Sequence, residues 1–142
     1  METNEKTTIT VEATVQAPLK TVWEFWNAPE HITKWCAASD DWHAPHAEND
    51  IRTGGKFATR MEAKDGSFGF DFGGTYDEVK TYELISYSME DGRKVEIHFS
   101  DIDGNTHVSE SFDAETTNSI EMQEAGWQAI LNNFKKYTEA NS

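Results

Sequence analysis

In "TTITVEATVQ" (residues 7–16) apolar and polar positions alternate strictly, Ile9, Val11, Ala13 and Val15 on one face and Thr8, Thr10, Glu12 and Thr14 on the other. A period of two with one apolar face predicts a half-buried antiparallel strand. Pro18 then suits the first turn of a helix, and "PLKTVWEFWN" repeats Leu19, Val22, Trp23 and Trp26 at helical spacing until Pro29 interrupts. "PEHITKWC" predicts a second short helix that packs Ile32 and Trp35. Beyond it the period returns to two. "DDWHAPH" reads as a weak strand with Pro45 near its end, the mark of an edge. After a Gly54-Gly55 turn, "KFATRMEA" sets Phe57, Thr59 and Met61 on one face, and Asp65-Gly66 is a hairpin signal. "SFGFDFGGTYDEV" aligns Phe68, Phe70 and Phe72, with Gly73-Gly74 expected at a bulge or sharp bend. "YELISYSM", "RKVEIHFS" and "THVSESF" complete a meander through Asp91-Gly92 and Asp103-Gly104.

The closing segment is helical. Asn118 is the expected cap, with Glu121 three residues on, and Ile120, Trp127, Ile130, Leu131, Phe134 and Tyr137 make an apolar stripe. Glu124, Asn132, Lys135 and Lys136 fall largely on the remaining surface. Gly126 stands inside this helix, where glycine costs about 1 kcal/mol relative to alanine, so a close approach to another backbone is expected there. Strand, two short helices, about six antiparallel strands and a long amphipathic helix define an α+β fold. A curved sheet has a concave apolar face, and the long helix is its natural cover. Where the sheet curls away from the helix a cavity opens, with the two short helices at its mouth.

Composition bounds what such a fold can do. The 142 residues suit one domain, and 5 Trp, 8 Phe and 4 Tyr supply an aromatic core. The formal net charge of -14, with no basic run, argues against nucleic acid and against an anionic membrane surface, both of which need a positive footprint. No stretch approaches the roughly 18 apolar residues of a membrane span and no leader pattern opens the chain, so a cytoplasmic location is expected. A single cysteine, Cys36, excludes an intrachain disulfide and a thiolate metal cluster.

Candidate chemistry is sparse. His43 and His46 flank Pro45, yet their spacing sends them to opposite faces, so no metal pair is expected. His98 and His107 oppose the buried parity of their strands and read as a solvent-facing cross-strand pair. Arg60 and Asp71 sit on neighbouring strands opposite the Phe57 and Phe70 face, as a surface ion pair would. Cys36 lies near a helix end with no clear activating base, and His31 is not spaced to serve it, so an inert buried thiol is expected. "GGK" at residues 54–56 precedes a strand, whereas a phosphate cradle precedes a helix.

"VQAPLKTVWEFWNAPEHITKW", "GGKFATRMEAKDGSFGFDFGGTYDEV" and "EAGWQAILNNFKKY", in this order, resemble the activator of heat-shock protein 90 ATPase homologue-like family. That family belongs to the START-related, birch-pollen-allergen-like (SRPBCC) superfamily, and the resemblance covers about residues 8–140 of a single domain 1–142. It implies a helix-grip fold: a curved antiparallel sheet of about six or seven strands wrapped around the C-terminal helix. It also implies a ligand cavity lined from Trp23, Trp26, Trp35, Trp42, Met61, Phe70, Phe72, Tyr87, Trp127 and Leu131, unless the aromatics themselves fill it.

Three functions follow. The first expectation is a carrier or sensor for a small hydrophobic molecule, lipid-like or polyketide-like, needing no cofactor. The second, which the family name invites, is a chaperone-associated module. In the eukaryotic activator a separate N-terminal domain shares that work, and 142 residues leave no room for one, so stand-alone activation is not expected. The third is a cyclase- or hydrolase-like enzyme, whose polar groups would be Tyr87, His43 and Asp40, none with an evident partner. Edge strands leave a monomer or a homodimer open.

Overall fold

The computed structural model describes residues 7–37, 40–116 and 118–141. Strand β1 (Thr8–Val15) alternates as expected, with Ile9, Val11 and Val15 buried. Two short helices follow, α1 (Leu19–Asn27) and α2 (Pro29–Trp35). Pro18 is extended and stands just before α1 instead of within its first turn, accepting the first helical bond from Val22 N at 3.0 Å. Pro29 opens α2, where its missing N–H would have no helical partner in any case. The buried face of α1 carries Val22 and Phe25, while Trp23 and Trp26 are half-buried.

Six strands then run antiparallel: β2 (Trp42–Asn49), β3 (Lys56–Ala63), β4 (Gly69–Lys80), β5 (Leu84–Met89), β6 (Lys94–Ile102) and β7 (Asn105–Asp113). With β1 they form one curved seven-stranded sheet in the order β1-β7-β6-β5-β4-β3-β2. The meander is local, each strand pairing with the next, and only β1 crosses over to join β7. β2 is an edge, as Pro45 foretold, but it runs on to Asn49 because the register shifts between His43 and His46 and absorbs the proline. Asp103-Gly104 closes β6 onto β7 with φ of 54° and 89°, the left-handed pair of a two-residue hairpin.

The Gly73-Gly74 pair is not a bulge. Gly73 pairs with Ala58 of β3, and Gly74 with Phe57 of β3 and Met89 of the next strand, all in regular register, and the β4 irregularity falls later, between Tyr76 and Glu78. These glycines are needed because neighbouring backbone closes in: a Cβ on Gly73 would lie 2.6 Å from Phe57 O, and one on Gly74 2.5 Å from Ser88 O.

Helix α3 (Ile120–Asn141) lies across the concave face, packing along β1 and touching α1 and α2. Its cap is Ser119, whose Oγ accepts from Met122 N at 3.1 Å, and not Asn118, whose own N–H is taken up by Glu115. Gln128 Nε2 donates to Glu12 O at 3.0 Å and Asn133 Nδ2 to Trp35 O at 2.8 Å, pinning the helix to β1 and α2. Among the described residues, no helix is long and apolar enough to cross a membrane.

Candidate functional site

Between the concave sheet and the helices lies a cavity of about 540 Å³. Its walls draw on α1 (Trp26), α2 (Trp35), β2 (Trp42), β3 (Met61), β4 (Phe70, Phe72), β5 (Tyr87) and α3 (Trp127). These are eight of the ten side chains named from the sequence; Trp23 and Leu131 lie elsewhere. Trp23 meets Tyr82 and Phe99 edge-on, with ring centroids 6.0 and 5.2 Å away. Leu131 follows Ile130, and the roughly 100° turn per helical residue carries it off the cavity face into closed core. The α3 face on the cavity is Met122, Gln123, Gly126, Trp127 and Ile130, a stripe at three- and four-residue spacing.

Trp127 anchors this face by stacking on Phe112 of β7, centroids 3.9 Å apart and planes at 12°, while meeting Phe72 edge-on at 6.1 Å. Gly126 makes no close approach: a Cβ there would find no heavy atom within 4 Å. The expected backbone contact is absent, and what the glycine leaves open is cavity. Gly126→Ala is therefore expected to stabilise the protein by about 0.5–1 kcal/mol through helix propensity and reduced chain entropy. A raised urea midpoint would show this, and a lowered one would mean that the helix needs glycine for packing.

The polar groups of the wall are few and specific. Glu110 on β7 is 7% exposed and lines the cavity. Among the described residues no side chain or backbone group hydrogen-bonds to its carboxyl, and burial alone pushes its pKa from the ordinary 4.5 to about 8. Two neighbours feel it: burial first and the Glu110 charge second raise Cys36, to about 12, and Tyr87, well above its ordinary value. Cys36 is thus a buried, inert thiol beside the cavity. On another part of the wall Tyr76 donates its hydroxyl to Asn49 Oδ1, and Asn49 Nδ2 donates to Asn27 O at 2.7 Å. Asn27 Oδ1 is buried and, among the described residues, without a donor.

Of the three groups considered for chemistry, only Tyr87 reaches the cavity. Asp40 is exposed, and His43 sits on the β2 edge with Nε2 3.8 Å from Glu62. Glu110, which sequence reasoning passed over, shares parity with the buried Thr106, Val108 and Phe112 of β7, the signal that could have found it.

The remaining candidates face outward. Arg60 pairs with Asp71 at 3.4 Å across the β3–β4 register and more closely with Glu62 at 2.8 Å. His98 and His107 do not pair with each other; each takes a carboxylate, Glu96 at 2.9 Å and Glu12 at 2.8 Å. Among the described residues no three His, Cys, Asp or Glu side chains gather as a metal would require.

A seven-stranded sheet wrapped on a C-terminal helix, with two short helices between its first two strands, defines a helix-grip domain. The family described as "Activator of Hsp90 ATPase homolog 1-like protein" matches residues 16–139, and the chain belongs to that family, within the SRPBCC superfamily. The solution structure of the AHSA1-like protein from Aeromonas hydrophila is 46% identical with a TM-score of 0.89, covering 94% of this chain and 93% of that one. Chr148 from Cytophaga hutchinsonii is 58% identical with a TM-score of 0.82, over 94% of this chain and 93% of its own. CV1439 from Chromobacterium violaceum, at 22% identity, TM-score 0.83 and coverage of 93% and 96%, shares the fold. Among curated proteins, none matches the chain.

Proposed function

We propose that the protein binds a small hydrophobic molecule, lipid-like or polyketide-like, in the cytoplasm and acts as its carrier or sensor. The observation that carries this reading is the cavity of about 540 Å³ with aromatic walls, a volume within the range of small-molecule sites. A sheet and helix that served only as scaffold would bring these rings into closed contact, because an apolar void forfeits dispersion contacts on every side. Here rings that touch one another, such as Trp26 with Trp35, Phe57 with Tyr87 and Phe72 with Trp127, still border that volume. Native and denaturing mass spectra of protein purified without added ligand are expected to differ by a bound mass that leaves on denaturation. Protein that is empty, and that takes up nothing from a lipid and polyketide extract, would overturn the reading.

The family's description favours a second reading, an interaction module for a heat-shock protein 90-type chaperone. A changed chaperone ATPase rate on adding the protein would support it; no binding and no change would remove it.

A further inference from the structure

An aromatic cavity explains an apolar ligand, but it does not explain a carboxyl group on its wall. Glu110 is 7% exposed, lines the cavity and is flanked in register by Val11 of β1 and Ile97 of β6, both buried. Neither neighbour's side chain offers a polar atom. The titratable groups facing it from other elements are Tyr87 of β5 and Cys36 after α2, both held neutral by burial. The cation on the cavity wall, Arg93 at the β5–β6 turn, is engaged by Asp91 at 2.8 Å. The other wall carboxylate, Glu115, accepts from Asn118 N. A buried polar group without a partner is costly, and in native proteins such groups are satisfied by protein, water or ligand.

We propose that the cavity takes an amphipathic organic amine, its ammonium group held by the Glu110 carboxylate and its apolar body packed among Trp26, Phe57, Phe72 and Trp127. This deepens the hydrophobic-ligand reading and rests on it. Three features select a cation over a neutral or anionic ligand of the same shape. Among the described residues the carboxyl has no donor, and an ammonium brings three. Aromatic faces attract cations, more strongly where water is excluded. The chain's net charge of -14 concentrates cations at its surface and repels fatty-acid-like anions. The proton balance is defined: below about pH 8 the empty site holds a neutral carboxylic acid, and an arriving ammonium converts it to carboxylate with release of that proton to solvent. The acid form can meanwhile stay in its apolar setting with no counter-ion.

Calorimetric titration with phenylbutylamine and with phenylbutanol, which differ at the terminal group alone, tests this. At pH 7 the amine is expected to bind at least about tenfold tighter than the alcohol, the gain of a charge-assisted hydrogen bond. Repeating the amine titration in buffers of different ionisation enthalpy should report release of about 0.9 proton per amine bound, the fraction of Glu110 protonated at pH 7 for a pKa of about 8. In Glu110→Gln, checked for native folding by its amide NMR spectrum, both the amine's advantage and the proton release should vanish. If the alcohol binds and the amine binds no tighter, or if the variant keeps the advantage, the amine inference is overturned while the hydrophobic cavity stands. If neither compound binds, the amine inference falls together with the ligand-binding reading.

Discussion

Replacing Glu110 by glutamine is expected to leave stability nearly unchanged at about pH 5 and to raise it strongly at about pH 9. The sign follows from linkage. The carboxyl ionises near its ordinary 4.5 in the unfolded chain but near 8 in the cavity, so between these values the folded protein holds a proton that the unfolded chain has lost. The stability this proton contributes is fully present below 4.5 and is lost as pH rises through about 8. At about 1.4 kcal/mol per pH unit over the part of that window above pH 5, the wild type should lose on the order of 4 kcal/mol that the variant keeps. That is a large fraction of an ordinary folding free energy. Urea unfolding of both proteins at the two pH values measures it directly. Parallel pH profiles would show that the carboxylate finds a counter-charge or water in the empty cavity, and would remove the cost of ionisation on which the proton release depends.

Phe134→Ala should be the most damaging apolar truncation in the helix. Phe134 is 0% exposed, and its ring meets Trp26 edge-on at 4.8 Å and Trp35 at 5.0 Å, so one side chain ties α3 to both short helices. Deleting a buried phenyl ring costs roughly 3–5 kcal/mol, its transfer free energy plus a cavity term, and should lower Tm by roughly 10 °C or more. The loss also loosens two indoles that wall the cavity. Ile130, half-buried on the cavity face, should cost less when truncated because the space beside it is already open. Equal thermal shifts for Phe134→Ala and Ile130→Ala would show that the two short helices hold their place without the Phe134 wedge.

Much of this architecture was legible because its causes are local. Alternation in residues 7–16 and in "KFATRMEA" marked which face is buried, since successive strand residues point to opposite sides whatever lies beyond. Asp-Gly pairs marked the hairpins because the left-handed backbone at Gly66, Gly92 and Gly104, shared by Asp103 in the last pair, is a property of one or two residues. The same arithmetic could have extended to Glu110, whose parity with Val108 and Phe112 turns it inward; a carboxylate in a polar-looking "SES" simply hid the pattern. The cap was misplaced by one residue, to Asn118, because Asn and Ser both suit that role and Ser119 stands beside it.

The chain's own order of residues determined the strands, the three helices, the meander and the family, all of which depend on neighbours a few positions apart or on landmarks at fixed spacing. Tertiary structure alone decided the rest. Whether Gly126 meets a backbone or an open space depends on how far the sheet curls from α3, and it meets space. Whether Trp23 or Trp26 faces the cavity depends on how α1 is rolled against β6. Above all, the pKa of Glu110 is set by its tertiary surroundings: an inward-facing carboxyl is pushed up to about 8 only because side chains from distant strands and helices bury it and, among the described residues, none supplies a donor. A void and a missing partner are properties of long-range packing, and no short stretch of sequence encodes either.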